Sequence, residues 1–168
     1  MRHILVLILA VLFASTADAQ VRINLNFNID RQPVWGPTGY DHVEYYYLPD
    51  LDVYYNVPLQ TWYYNERGSW VGRSSLPARY RGHDLYNSYK VVVNEPAAYR
   101  NNRSHREQYA SFKGRHDQQP IRDARDPKYY VNKNHPEHNN WVKQQQQEKA
   151  KGKAKGRDNA PGQNKKQN

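Results

Sequence analysis

The chain has 168 residues, a formal net charge of +9 and no cysteine. Without cysteine, disulfides and thiolate metal sites are excluded, so the fold must be held together by packing and hydrogen bonds. The charge is uneven, because residues 20–98 carry seven Lys or Arg against eight Asp or Glu, whereas residues 99–168 carry seventeen against seven. The basic character therefore belongs to the C-terminal part of the chain.

Residues 1–19 have the pattern of a secretory signal peptide. Arg2 and His3 form a short basic start, Ile4–Phe13 is an apolar run, and residues 17–19 (Ala-Asp-Ala) fit a small-x-small cleavage site. The apolar run is too short to span a bilayer, although an uncleaved anchor is the alternative interpretation. We expect a mature chain without a transmembrane segment that begins at Gln20 and is periplasmic or secreted.

The mature chain begins with a strictly alternating segment. In Val21–Ile29 the odd positions are apolar and the even positions are Arg or Asn, which predicts a strand with one buried face. A connection rich in Pro and Gly follows over Asp30–Tyr40. Trp35 lies inside this connection, where we expect it to cover one end of the core; stacking on a ligand is the alternative.

The stretch from Val43 to Leu76 organises the rest of the chain. It contains seven of the fifteen tyrosines and two of the four tryptophans, interrupted by turn residues every few positions. Aromatic and β-branched runs of this kind predict an antiparallel β-meander. The predicted strands are His42–Leu48, Leu51–Val57, Gln60–Tyr64 and Ser69–Ser74, with turns at Pro49-Asp50 and around Gly68.

The first hairpin of this meander has aromatic residues on both faces. If Leu48 lies opposite Leu51, one face carries Leu48, Leu51, Tyr46, Val53 and Tyr55, and the other carries Val43, Tyr45, Tyr47 and Tyr54. Other segments could cover the second face, since a small domain needs to bury all the apolar surface it can. Alternatively the face is a binding platform, because tyrosine gives large contact area at low entropic cost. The candidate platform residues are Tyr45, Tyr47, Tyr54, Trp35 and Trp62.

The second half of the chain is predicted to be less regular. Tyr89–Asn94 is typical of a strand, and Pro96 to Lys113 predicts a polar helix that ends at Gly114. From Arg115 onward apolar residues are sparse, which predicts disorder. We therefore predict a mainly β fold with minor α, in which an antiparallel meander is packed by an N-terminal strand and short helices. The predicted segments are a signal peptide (1–19), a small β-rich domain (20–114) and a basic disordered tail (115–168).

Several blocks of the sequence resemble one protein family. They are QPVWGPTGYDHVEYYYLPDLDVYYNVP, GSW, SLPARYRGHDLY and YKVVVNEP, which together run from Gln32 to the region of Gly114. They resemble a family of short exported proteins of Gram-negative bacteria that has no assigned function. The resemblance implies an envelope or secreted location and transfers no catalytic or binding residue.

Few residue groups suggest chemistry. His83-Asp84 could orient a general base, but no nucleophile has a recognisable setting such as G-x-S-x-G, so a solvated or capping pair is the favoured interpretation. The group formed by His135, Glu137 and His138 lacks the spacing of a zincin helix. We therefore expect no catalytic residue, no cofactor and no dedicated metal site.

The tail carries a basic run that alternates with Gly and Ala. Its members are Lys149, Lys151, Lys153, Lys155 and Arg157. Such runs bind polyanions with little specificity, and export makes an anionic envelope polymer a better partner than nucleic acid; a purely solubilising tail is the alternative. We expect an exported, non-enzymatic binding or structural module, whose partner could be a glycan, an anionic polymer or an envelope protein. The alternatives are an envelope-polymer hydrolase using His83 and Asp84, or a periplasmic assembly or stress factor that pairs through a strand edge.

Overall fold

The computed structural model describes residues 27–158, with side chains up to Gly152. The strands are β1 (Tyr45–Leu48), β2 (Val53–Asn56), β3 (Thr61–Glu66), β4 (Ser69–Arg73) and β5 (Val91–Val93). The helices are α1 (Asn102–Gln108) and α2 (His138–Asp158), with 3-10 turns at Ala78–Tyr80, Ala98–Asn101, Ala110–Phe112, Ile121–Asp123 and Pro127–Val131. The strands form one antiparallel sheet in the order β4-β3-β2-β1-β5. The predicted class, mainly β with minor α, is confirmed.

The β1–β2 hairpin keeps the predicted faces but not the predicted register. Leu48 pairs with Val53 and Tyr46 with Tyr55, a shift of two residues from the expected pairing. The cause is Asp52, whose φ of +54° adds a left-handed residue to the turn and whose N–H bonds to the Leu48 carbonyl at 2.9 Å. Because side chains alternate with a period of two, the shift leaves each residue of β1 and β2 on its predicted face.

The β3–β4 hairpin has a shorter turn than predicted. Glu66 pairs with Ser69, so only Arg67 and Gly68 connect the strands. Their φ values of +52° and +86° are those of a type I′ turn, whose twist matches that of the flanking strands. The side chain of Asn65 accepts a hydrogen bond from the Gly68 N–H at 2.9 Å.

One face of the sheet forms the larger core. Its buried members are Val43, Tyr46, Leu48, Val53, Val57, Trp62 and Tyr64. Trp35, Leu76, Tyr80 and Leu85 cover this face from the flanking loops. Val43 was predicted on the opposite face; it precedes β1 and is held outside the ladder by the Asn28 side chain, so the strand alternation does not extend to it.

The opposite face is covered by residues 98–112. The predicted continuous helix is divided into Ala98–Asn101, α1 and Ala110–Phe112. Ala98 is fully buried, and the ring of Tyr99 stacks on that of Tyr63 with centroids 4.4 Å apart. Gly114 then has a φ of +76°, which ends the helical segment at the predicted residue.

Residues 115–137 belong to the folded domain, so the predicted tail begins too early. Ile121, Ala124 and Tyr129 are buried in a third cluster against Ile29 and Val34. The backbone of residues 119–122 pairs with residues 34–38 through bonds of 2.8–2.9 Å, such as Ile121 N to Gly36 O. Sparse apolar residues misled the prediction, because three of them suffice once backbone pairing and polar side chains supply the remaining contacts.

The N-terminal strand prediction does not hold where it can be compared with the structure. Residues 1–26, with the signal peptide and most of the predicted strand, lie outside the described residues. Phe27 is 64% exposed and Asn28 is buried, which reverses the expected alternation. The reason is that the Asn28 side chain bonds to both the N–H and the C=O of Val43, at 3.0 and 2.7 Å, and replaces a strand pairing there.

Helix α2 leaves the domain. Trp141 and Val142 are half-buried near its start, and every residue from Gln146 to Gly152 is exposed. Residues 159–168, the end of the predicted tail, lie outside the described residues. Between residues 27 and 158, no helix has the length and apolar character required to cross a membrane.

Substitution of Ile121 tests whether residues 115–137 contribute to stability. Ile121→Ala removes a fully buried side chain and should lower the free energy of unfolding by about 2–4 kcal/mol, measured by urea denaturation. Val131→Ala is the control, because this residue is 36% exposed and should cost less than about 1 kcal/mol. Equal, small effects of both substitutions would contradict the packing of this segment.

Candidate functional site

The three candidate platform tyrosines are buried. Tyr45, Tyr47 and Tyr54 are 6%, 2% and 0% exposed. Tyr99 and Tyr109 pack over them, so the second face of the sheet is part of the core. The hypothesis of an exposed tyrosine platform is therefore corrected: the alternative in which other segments cover this face is the one observed.

The two candidate tryptophans stack on the first face. The rings of Trp35 and Trp62 are nearly parallel, with centroids 5.4 Å apart, and Tyr55 packs against both. Trp62 is buried, whereas Trp35 is half-buried. Only Trp35 of the five predicted binding residues therefore keeps appreciable exposure, in the covering position that the sequence predicted.

The carboxylate of Asp52, in the β1–β2 turn, contacts polar side chains of β1 and α1. Asp52 accepts hydrogen bonds from the Tyr47 hydroxyl at 3.0 Å and from the Asn102 amide at 2.7 Å. The Arg106 guanidinium lies 3.7 Å from its second oxygen. Burial, reinforced by the Asp52 charge, raises the pKa of Tyr47 well above its ordinary value. The contacts fix α1 to the turn.

Next to Asp52, the Tyr54 hydroxyl, the His105 imidazole and the Glu95 carboxylate follow one another in a row. The Asn102 amide donates to the Tyr54 oxygen at 3.4 Å, and the Tyr54 hydroxyl is hydrogen-bonded to His105 Nδ1 at 2.9 Å. His105 Nε2 faces a Glu95 oxygen at 3.6 Å. This order of groups could activate a nucleophile, but Tyr54 is fully buried and burial raises its pKa. The chain of groups joins β2 to α1, and the burial of Tyr54 closes its hydroxyl to solvent.

A shallow cleft of about 300 Å³ lies between the β1–β2 turn and the helical segment. Its charged lining consists of Asp50, Asp52, Arg106 and Lys113. Both carboxylates are engaged, since Asp50 accepts from the Gly114 N–H at 2.7 Å. The cleft has no pairing of a nucleophile with a base.

The His83-Asp84 pair has hydrogen-bond partners within its own loop. Ser88 Oγ lies 2.6 Å from the Asp84 carbonyl, which can only accept, so the single hydroxyl proton is directed there. In this arrangement His83 Nε2, 2.5 Å from the same hydroxyl, is the donor to it. The Asp84 carboxylate caps the N–H groups of Tyr86 and Asn87, and the Asn87 bonds lower its pKa. The capping interpretation of Asp84 agrees with this geometry.

The histidines of the C-terminal segment also have structural partners. His135 is buried; its Nδ1 accepts from the Glu137 N–H at 3.1 Å and its Nε2 lies 3.2 Å from the Ala124 carbonyl. His138 Nδ1 bonds to the Tyr130 carbonyl at 2.8 Å. Within the described part of the chain, no three His, Cys, Asp or Glu side chains converge as a metal site would require.

Lys90 is a buried lysine that the sequence interpretation missed. It is 1% exposed, and its Nζ donates to the Tyr86 carbonyl at 3.1 Å. Burial lowers the pKa of its ammonium from 10.5 to about 8. The alternation in YKVVVN places Lys90 on the same face as Val92, and this was the signal available in the sequence. Its burial leaves no access for a substrate.

The basic run lies on the projecting helix. Lys149 and Lys151 are exposed, and positions 153, 155 and 157 are also within α2, beyond the described side chains. The domain from residue 27 to 137 carries fifteen Lys or Arg against thirteen Asp or Glu, whereas residues 138–168 carry eight against two. Positive charge is therefore concentrated on the segment that projects from the domain.

The chain matches no known family model, and no curated protein or solved structure is significantly similar to it.

Lys90 gives a test of the buried charge. Between pH 8 and 10.5 the unfolded chain holds the Lys90 proton and the folded chain has lost it, so this group adds stability as pH rises. Lys90→Met removes that rise, which amounts to about 3 kcal/mol. At pH 7 the variant should be more stable than the wild type by about 1–3 kcal/mol in urea denaturation. A pH dependence in the variant equal to that of the wild type would contradict the assignment.

Three buried tyrosines predict alkaline unfolding. Burial raises the pKa of Tyr46, Tyr47 and Tyr54 above the ordinary value near 10. Above about pH 10 the unfolded chain loses these protons and the folded chain keeps them, so stability should fall by up to about 4 kcal/mol per pH unit. The last part of the tyrosinate absorbance change should coincide with loss of the circular dichroism signal. Complete ionisation of the tyrosines in a folded chain would contradict this.

Proposed function

We propose that this protein is an exported, non-enzymatic binding module that contacts an anionic polymer of the cell envelope through its basic C-terminal helix. The observation that carries the proposal is that the excess of positive charge lies mainly on the C-terminal helix and not on the folded domain. The domain is nearly neutral, whereas α2 leaves it and carries six Lys or Arg against two Asp or Glu.

The exposure of the helix supports a role outside the fold. Lys149 and Lys151 are exposed, and neither makes a salt bridge with the described carboxylates. Unpaired cations on a regular scaffold bind a polyanion mainly by releasing its counterions, which gives affinity with little specificity. A polar helix without an apolar stripe has no core to stabilise, so its sequence is free to serve such contacts.

The geometry of the remaining candidate sites favours this proposal over its alternatives. Hydrolysis through His83 would need a base free to accept a proton, but the Ser88 hydroxyl directs its proton to the Asp84 carbonyl. Glycan stacking on the sheet would need exposed rings, but Tyr45, Tyr47 and Tyr54 are covered. The location in the envelope rests on the signal-peptide pattern and on the resemblance to exported proteins.

Salt-dependent binding to lipopolysaccharide, with heparin as a second polyanion, tests the role of α2. The mature chain should bind both, and changing Lys149, Lys151, Lys153, Lys155 and Arg157 to Gln should abolish most of the affinity. For nucleic acids each neutralised phosphate contributes about 0.7–0.9 to the magnitude of the slope of log K against log salt, so the loss of five contacts should reduce the magnitude of a comparable slope by about 3.5–4.5.

The matched control changes the same number of charges on the domain. Its substitutions are Arg31, Arg73, Arg100, Arg125 and Lys133 to Gln, all at exposed positions. Circular dichroism should show that both variants fold. The proposal is overturned if the helix variant binds as tightly as the wild type, or if the domain variant loses as much affinity.

A further inference from the structure

The two edges of the sheet are not equivalent. At the β5 edge, Lys90 N donates to Gln118 Oε1 at 2.8 Å and Gln118 Nε2 donates to the Lys90 carbonyl at 2.9 Å. One side-chain amide thus occupies a donor and an acceptor that a further strand would use. At Lys90 the β5 edge is therefore protected from pairing with other chains.

The β4 edge has no such closure within residues 27–158. Glu66 and Ser69 close the two-residue turn as a hydrogen-bonded pair, and Tyr64 and Val71 form the next one. The alternate residues Trp70 and Gly72 therefore direct their backbone N–H and C=O groups away from β3. The Arg73 guanidinium contacts the Gly72 carbonyl at 3.0 Å, but no described residue pairs with the outward groups of Trp70.

The side chains around this edge define what it would recognise. Trp70 is half-buried, and it packs on Tyr54 and Tyr99 at centroid distances of 5.6 and 5.8 Å. Arg67 and Arg73 are exposed at the two ends of β4. The edge therefore combines open backbone, an apolar anchor and positive charge at both ends.

We propose that the outer edge of β4 is a binding site for an extended peptide segment of a partner protein, with an apolar centre and acidic residues at both ends. The segment would add a sixth, antiparallel strand, with backbone bonds giving affinity and side chains giving selectivity. Cross-strand pairs of opposite charge would set its position on Arg67 and Arg73. The site is independent of α2, so it goes beyond the polyanion-binding role.

A second copy of this chain fits the edge less well. Antiparallel pairing of β4 with itself about Val71 would put Arg73 opposite Ser69 of the other copy. Arg73 would then lie diagonally across from the Arg67 of the other copy, at a distance of roughly 7–8 Å. Like charges at this spacing oppose pairing, whereas an acidic partner segment is attracted.

Amide hydrogen exchange by NMR gives the direct test. The probe is a synthetic peptide in which Val-Thr repeats are flanked by two acidic residues at each end. In the free mature chain, the Trp70 and Gly72 amides should exchange rapidly while those of Ser69 and Val71 are protected by β3. Addition of the peptide should protect Trp70 and Gly72. A peptide with a central Pro, which lacks a ladder donor, should not.

The charge requirement is tested by fluorescence anisotropy, with a fluorescently labelled form of the same acidic-ended peptide. All chains carry the five Gln substitutions in α2, so that the basic helix does not bind the probe. Adding Arg67→Glu and Arg73→Glu should weaken binding about tenfold and favour a peptide with basic ends. The control adds Arg100→Glu and Arg125→Glu, which make the same charge change at exposed positions outside β4, and should leave binding unchanged.

Four outcomes would overturn the proposal. The first is peptide binding without protection of Trp70 and Gly72, and the second is equal loss of affinity in both charge variants. The third is protection of these amides in the free chain that increases with protein concentration, which assigns the edge to a second copy. The fourth is protection in the free chain independent of concentration, which assigns the edge to the chain's own segment outside the described residues.

Discussion

The structure depends on one constraint: a sheet of short strands has tyrosine rings on both faces, and each buried hydroxyl needs a hydrogen-bond partner. Tyr46 donates to Gln32 at 3.0 Å, which fixes the N-terminal loop below the first face. On the second face, the Tyr47 and Tyr54 hydroxyls bond to Asp52 and His105. The covering segments are thus positioned by polar contacts as much as by apolar area, because the rings themselves carry the polar groups to both surfaces.

The same constraint explains why a polar segment folds. The Tyr129 hydroxyl accepts a hydrogen bond from the Gly39 N–H at 2.6 Å, in the loop that also bonds to the Ile121 N–H. Gly36 in this loop allows the close approach of Tyr46, since a Cβ atom at residue 36 would lie 2.7 Å from the Tyr46 hydroxyl and one of the two would have to shift. The Asn132 amide completes the contact by bonding to the carbonyls of Ile29 and Gln32. Buried hydrogen bonds replace the apolar area that this segment lacks.

The sequence predicted what depends on local pattern and missed what depends on distant partners. Alternation assigned Tyr46 and Tyr47 to opposite faces, and Pro49-Asp50 and Gly68 marked turns, because these properties belong to a few adjacent residues. The register shift came from the left-handed Asp52, which tolerates that conformation without requiring it. Single residues such as Ile121 carry no periodic signal, so their burial was not predictable. The candidate tyrosines were found as a group, but their exposure depended on α1, whose placement no local pattern encodes.

The packing of residues 115–137 also decides which surfaces remain available. Gln118 belongs to this segment, and it closes the β5 edge at Lys90. If the segment were the disordered tail that its composition predicts, both sheet edges would be open, and Lys90 would lose the partner of its backbone. The folded segment covers the β5 edge at Lys90, and it leaves the β4 edge, which lies between Arg67 and Arg73, uncovered. It also fixes Pro127–Val131, against which α2 begins, so that the basic helix starts from a defined point on the domain. This polar segment therefore closes the sheet at Lys90 and fixes where the basic helix begins.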